Sequence, residues 1–234
     1  MKVTTLYQSL SSYNKKPFKK DYYSLVLKFI DSHKIKSVID IGCASGFFQY
    51  FLSKKTHCVG IDINTKLLKI ARRLNFKNNK SFLNCNLFDC SENKFKNYIK
   101  RYDLKNYDLI TLFGTLTSFD NVNIVFKRME KLKSKYLILH APLNEYTDSK
   151  ISFTFKNKNK FKKGAISIFS KSTIRKIMKN KFRVNFVKYN MKKKLKKNKT
   201  YPLNNYHLDL RKGKITTNDM GVIYNEYLIF FERF

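Results

Sequence analysis

The sequence is short of acids. Its 234 residues hold 16 Asp+Glu against 49 Lys+Arg, a formal net charge of +33. It contains no apolar run of about 18 residues, the length a membrane-spanning helix needs. The stretch Met1 to Leu10 has no apolar core, so no secretory signal is expected. The four cysteines, Cys43, Cys58, Cys85 and Cys90, match no zinc-binding spacing and no Cys-x-x-Cys redox pair. Free thiols in a reducing cytoplasm, and no metal, are the expectation. The remaining composition is 43% hydrophobic and 15% aromatic, which suits a packed core and excludes a disordered basic tail. The length fits a single domain over 1–234.

The basic side chains are 41 Lys and 8 Arg, in a chain also rich in Asn, Ile, Phe and Tyr. All of these but Arg have A/T-rich codons, so coding bias accounts for part of the excess. The distribution is uneven. Residues 150–214 hold 22 Lys+Arg and one acid, Asp209. The densest run, Lys192 to Lys199, reads as a solvated loop. Such a field attracts anionic partners, nucleic acid among them. Lysine is a point charge without the planar fork that reads bases, so the charge alone does not specify RNA.

The hydrophobic pattern alternates between strand and helix. Tyr22, Val26, Phe29 and Ile30 share a face of a helix over Asp21 to His33. Strands are predicted at Ser37 to Ile41, His57 to Ile63, Lys80 to Asn86, Tyr107 to Phe113 and Lys135 to His140, the last stopped by Pro142. Helices are predicted at Gly46 to Lys54, after a cap at Asn64 or Thr65, and at Asp120 to Lys133, with Asp120 as its cap. Five such alternations imply βαβ units around a parallel sheet. Ser170 or Ser172 caps a short helix through Met178. Phe182, Val184 and Phe186 alternate as a strand, and Gly221 to Phe231 is a final strand. The last two strands predict an antiparallel hairpin on the sheet edge.

The chemistry lies in Val38-Ile39-Asp40-Ile41-Gly42-Cys43-Ala44-Ser45-Gly46. A strand ends on an acid, and a glycine-containing turn leads into a helix whose N–H groups are free. Asp62 ends the second strand, 20 residues after Gly42. An acid there accepts both hydroxyls of an adenosine ribose. The dinucleotide fingerprint G-x-G-x-x-G is broken by Ala44 and Phe47. Asp40 would repel a pyrophosphate but suits ammonium and sulfonium groups.

With those residues the chain resembles the class I S-adenosylmethionine-dependent methyltransferases. Asp40 to Gly46 correspond to the family's glycine-rich motif and Asp62 to its ribose-binding acid. Cys85-Asn86-Leu87 falls where the family contacts adenine, with Asn86 in place of the frequent Asp. Tyr107 to Gly114 matches the fourth strand, which ends beside the methionine part. The resemblance covers roughly residues 20–145 and the final hairpin. It implies a three-layer, Rossmann-like α/β fold with a seven-stranded sheet, mostly parallel, and an antiparallel C-terminal strand. It implies S-adenosylmethionine as cofactor, held by Asp40, Gly42, Cys43, Ser45, Gly46, Asp62, Ile63, Asn86, Leu87, Phe113 and Gly114. Residues 1–34 would supply a lid and helix, 35–142 the cofactor-binding core, and 143–234 the acceptor side, hairpin and basic loop.

Methyl transfer needs alignment above all, and a hydroxyl acceptor gains from a base. His140, at the end of the fifth strand, is the candidate. No [ND]-P-P-[YFW] stretch follows the fourth strand, which argues against adenine or glutamine-amide acceptors. No Pro-Cys or Thr-Cys pair stands there for cytosine C5 chemistry. Phe113-Gly114-Thr115-Leu116 resembles enzymes acting on small molecules and saccharides. Leu6 to Tyr13 and Pro142 to Lys171 are the expected lid and acceptor wall. The expected acceptor is a hydroxyl, or an amine, of a small molecule or saccharide precursor, with an anionic group possible. RNA, tracked by 150–214 and stacked on Tyr201, Tyr206 or Phe161, is the first alternative. A non-catalytic cofactor-binding or scaffolding protein is the second. The sequence leaves oligomeric state open.

Overall fold

The computed structural model describes residues 16–76, 79–157, 160–189, 205–210, 213–218 and 223–234. In chain order the helices are α1 (Asp21–Ser32), α2 (Phe47–Phe51), α3 (Thr65–Leu74), α4 (Glu92–Arg101), α5 (Val122–Lys131) and α6 (Lys171–Met178). The strands are β1 (Ser37–Ile41), β2 (His57–Asp62), β3 (Lys80–Asn84), β4 (Leu109–Phe113), β5 (Tyr136–Leu143), β6 (Ser149–Asn157), β7 (Lys160–Ile168), β8 (Phe182–Tyr189), β9 (Asn205–Leu210), β10 (Gly213–Asn218) and β11 (Ile223–Arg233).

Five strands run parallel in the order β3-β2-β1-β4-β5. β11 lies antiparallel between β5 and β8. Because β8 is also antiparallel to β11, it runs with β5, and β11 is the one reversed strand of seven. The expected fold is therefore present, and the last two predicted strands pair antiparallel at the sheet edge. Within that pair the final strand takes the inner place, against β5. Its apolar run explains the place: Leu228 and Ile229 are fully buried, one on each face. The start of β11 also pairs with β10, which pairs with β9.

Helices cover both faces. α1 and α2 pack Tyr22, Val26, Ile30, Phe47 and Phe48 against Val38, Leu109 and Ile138. α3 adds Leu68 and Ala71 beside them. On the other face α4, α5 and α6 bury Phe95, Phe126, Met129 and Ile174 against Ile39, Ile110 and Ile229. Hydrophobic residues on both faces of the central strands are what a parallel sheet between two helix layers requires.

Several elements differ from expectation. α2 ends at Phe51 because Leu52 turns extended, so the helix after the glycine-rich turn is little more than one turn. α4 was not anticipated; Ser91 caps it by accepting from Lys94 N, and Phe95 and Ile99 face inward. α5 is capped by Asn121, not Asp120. Asp120 instead pairs with Lys150 at 2.8 Å. β5 continues through Pro142. His140 O points toward β4 and accepts from Gly114 N, so residue 142 faces the same way, past the end of β4. The missing N–H of Pro142 thus interrupts no ladder bond. The stretch Pro142 to Lys171 contains the β6–β7 hairpin rather than an open loop, and this hairpin reaches the 3₁₀ turn Leu116–Ser118. Ser170 is the cap of α6. Leu6 to Tyr13, Lys192 to Lys199 and Tyr201 lie outside the described residues.

Candidate active site

The C-terminal ends of β1, β2 and β4 open onto one cavity of about 840 Å³. That is toward the large end of the range of roughly 300–1,000 Å³ for small-molecule sites. Asp40, Gly42, Cys43, Ser45, Asp62, Ile63, Asn86, Leu87, Phe113 and Gly114 all line it. The structure thus brings ten of the eleven expected cofactor residues together. Gly46 stands behind them, at the entry to α2. His140 is not on the wall.

The turn after β1 doubles back over β2. Gly42 N and Cys43 N both donate to Ile61 O, at 2.7 and 3.1 Å. Gly42 has φ of 76°, and a Cβ there would lie 2.4 Å from Thr115 Oγ1, so only glycine fits. Asp62 fastens the turn. Its Oδ2 accepts from Ala44 N and its Oδ1 from Asn64 N, both at 2.8 Å. Burial raises its pKa and these N–H bonds oppose the rise. Each oxygen keeps a further acceptor site facing the cavity side.

Asp40 is buried under the turn. Gln49 Nε2 donates to Oδ2 at 2.6 Å and Thr111 Oγ1 to Oδ1 at 2.7 Å. Burial pushes its carboxyl up to about 7, against both hydrogen bonds. Neither Gln49 nor Thr111 was anticipated. Thr111 sits opposite Asp40 in the β1–β4 register, a pairing across 71 residues that no local pattern reveals.

The raised carboxyl gives a stability prediction. Its unfolded value is near 3.8, so the folded state holds the proton more tightly and stability falls as pH rises from about 4 to about 7. Asp40→Asn removes that slope. In urea denaturation at pH 5 and pH 8, the wild type should lose about 2 kcal/mol more than the variant between the two conditions. Equal losses would remove the raised carboxyl.

Asn86 differs from expectation in detail. Its Oδ1 accepts from Phe88 N and Asp89 N, so the carbonyl holds the loop and Nδ2 is the group left for a ligand. Arg128 of α5 clamps the same loop, donating to Leu87 O and to Cys90 O. It was missed because it stands off the apolar spacing of its helix. Cys43 donates weakly to Ala44 O, and burial drives its thiol well up. All four cysteines are free thiols, and no metal-holding cluster exists among the described residues.

His140 lies one layer below. Tyr22 stacks on its ring at 4.1 Å, and Glu226 Oε2 is 3.4 Å from its Nε2. Burial, aided by Lys20, lowers its pKa to about 3. An imidazole of that pKa is a weak proton acceptor at neutral pH. It shares the sheet face of Ile138, which α1 covers, and Tyr22 of that helix lies over it.

The residues present fit an S-adenosyl ligand. Ser45 Oγ is buried on the wall with no hydrogen-bond partner among the described residues. A buried hydroxyl left so is costly unless a ligand meets it.

Comparison with known proteins agrees with this geometry. A family model described as a methyltransferase domain matches residues 32–207. No curated protein sequence matches the chain. Among solved structures, magnesium protoporphyrin IX methyltransferase from Synechocystis PCC 6803, with S-adenosylmethionine bound, is 15% identical with a TM-score of 0.51. The match covers 90% of this chain and 77% of that one. An S-adenosylmethionine-dependent methyltransferase from Clostridium acetobutylicum is 10% identical with a TM-score of 0.55, covering 90% of each chain. A protein from Pyrococcus horikoshii OT3 is 13% identical with a TM-score of 0.57, covering 99% and 95%. At these identities the likeness is one of fold.

Proposed function

The chain belongs to the methyltransferase-domain family that its residues 32–207 match, and we propose that it methylates a hydroxyl, or an amine, of a small molecule or saccharide precursor. Its cofactor is S-adenosylmethionine. The sulfonium supplies a methyl carbon whose leaving group is already activated by positive charge. The chain's own task is then to bind and align. Asp62 is placed to receive the ribose hydroxyls, and Asn86 Nδ2 an acceptor on the adenine edge. Asp40 is placed to offset the positive charge of the methionine end. A cation arriving there favours the ionised carboxylate.

The observation that carries the acceptor class is the shared cavity. The same cavity is also lined by Ser118, Phe119 and Phe18. Aromatic surface of this kind excludes water and holds an apolar or sugar-like face, and Ser118 offers a polar contact. The test is transfer of labelled methyl from S-adenosylmethionine into a fractionated cell extract. Label in the low-molecular-weight fraction is expected, and label in RNA alone would overturn this acceptor class.

RNA as acceptor has one observation in its favour, the 22 Lys+Arg against one acid in 150–214. Lys150 of that segment pairs with Asp120, the residue after Phe119 of the wall. RNA held by such lysines would dissociate steeply between about 50 and 200 mM salt. Absence of binding at the lower salt removes the reading. No helix among the described residues is long and apolar enough to cross a membrane.

A further inference from the structure

Lys20 lines the cavity, and nothing said so far gives it a task. It stands immediately before α1 and is partly buried. Its ammonium faces the rings of Tyr22 and Tyr23, with Nζ 5.6 and 5.9 Å from their centres. Among the described residues it makes no hydrogen bond and no ion pair. A cation drawn out of water is ordinarily held by a carboxylate.

The acids around it do not supply one. Asp40 and Glu226 act on Lys20 through space, yet burial still wins and its pKa is lowered. Both acids are themselves pushed up to about 7 by burial, so neither is a full anion at neutral pH. Glu226 is fixed on β11 beside His140, behind the wall rather than on it. The ammonium is under-compensated on the side that faces the cavity. The other cation of the wall, Lys66, is exposed in the first turn of α3, beyond Asp62 and away from Asp40.

We propose that Lys20 binds the carboxylate of the amino-acid moiety of S-adenosylmethionine, holding the methionine end between itself and Asp40. The inference rests on the cofactor reading above. The charge pattern supports it. That moiety carries two cationic centres, an ammonium and a sulfonium, and one carboxylate. On the wall the protein presents the Asp40 carboxyl to the cationic centres and the Lys20 ammonium to the carboxylate. A carboxylate arriving at Lys20 stabilises its charged form, and the cationic centres do the same for Asp40. An anionic group on the acceptor is the other source of the same chemistry.

Two probes separate these sources in titration calorimetry. S-adenosylhomocysteine carries the amino-acid moiety. 5′-Methylthioadenosine keeps the adenosine and thioether and lacks both the ammonium and the carboxylate. Lys20→Met should weaken S-adenosylhomocysteine about ten-fold to a hundred-fold, the scale of a lost charge-assisted bond. It should change methylthioadenosine by less than about two-fold, and Lys20→Arg should keep most of the affinity for both. An equal loss for both probes, or no loss for either, overturns the inference. Loss of acceptor KM alone, with both probes unaffected, assigns the lysine to the acceptor and overturns it too. A wild type that binds neither probe removes the cofactor reading and this inference together. A wild type that binds both, beside a Lys20→Met variant of undiminished affinity, removes this inference alone.

Discussion

Gly46→Ala should cost the fold several kcal/mol. Gly46 has φ of 71°, a region that costs an alanine about 1–2 kcal/mol. The added Cβ would also lie 2.9 Å from Asn75 Nδ2, 3.0 Å from Ala71 Cβ and 3.1 Å from Phe82 Cε1. These neighbours have no room to retreat. Ala71 and Phe82 are buried together with Leu68 and Cys43. Asn75 is buried and uses that same Nδ2 to donate to Gly46 O and Ala71 O. Overpacking of a tight core costs about 1–3 kcal/mol, and a disturbed buried amide about as much again. Against a typical total of about 5–15 kcal/mol, the variant should be largely unfolded at moderate urea concentrations where the wild type is intact. Gly114→Ala is the control. Gly114 has a similar φ of 69°, but a Cβ there meets nothing within 4 Å. It should lose only the backbone strain, about 1–2 kcal/mol. Equal midpoints for the two variants would mean that the packing around Asn75 does not matter.

Gly46 also marks what sequence can and cannot convey. The turn, its two flanking acids and the 20-residue interval from Gly42 to Asp62 are local or near-local features. They were legible because strand, turn and helix each have their own residue pattern. Ten of the eleven residues that the resemblance implied line one cavity. What was not legible depends on register and on which face of a doubly covered strand each residue takes. Strands buried on both faces read as continuous apolar runs, so parity is hidden. His140 looked like a wall residue and lies under Tyr22 instead. Thr111 and Gln49 looked unremarkable and fix Asp40. Lys20 carried no signal among so many lysines. The antiparallel pairing of β8 with β11 was legible, but not that β11 takes the inner place beside β5, because nothing local in an apolar strand says on which side each neighbour will lie. The β6–β7 hairpin was not read, although Ile151, Phe153 and Phe155 of β6 alternate with Ser152 and Thr154. For Asp62 the structure adds a task to the ribose role read from sequence, the bracing of the turn, and that alters what its removal should do.

Asp62→Ala should weaken S-adenosylhomocysteine by at least about a hundred-fold. Two contributions act together. A carboxylate accepting two ribose hydroxyls gives hydrogen bonds to a charged group, each about 1.5–3 kcal/mol. Removing it also strips the acceptor from Ala44 N and Asn64 N. Ala44 sits at φ of 49°, a conformation unfavourable for alanine that Asp62 helps to hold. Without that bond the turn can relax away from the shape that receives the ligand. The two contributions separate with Asp62→Asn and with an analogue lacking the ribose hydroxyls. Asparagine keeps one oxygen for a backbone N–H, so it should restore part of the turn and little of the ribose recognition. Against the hydroxyl-free analogue, any remaining difference between wild type and Asp62→Ala measures the turn alone, and about a ten-fold difference is expected from one lost charge-assisted bond. Calorimetry on the four combinations gives both numbers. Unchanged affinity of Asp62→Ala for S-adenosylhomocysteine would refute the assignment of this residue. A loss equally large for both ligands would make Asp62 a brace for the turn that takes no part in recognising the ribose.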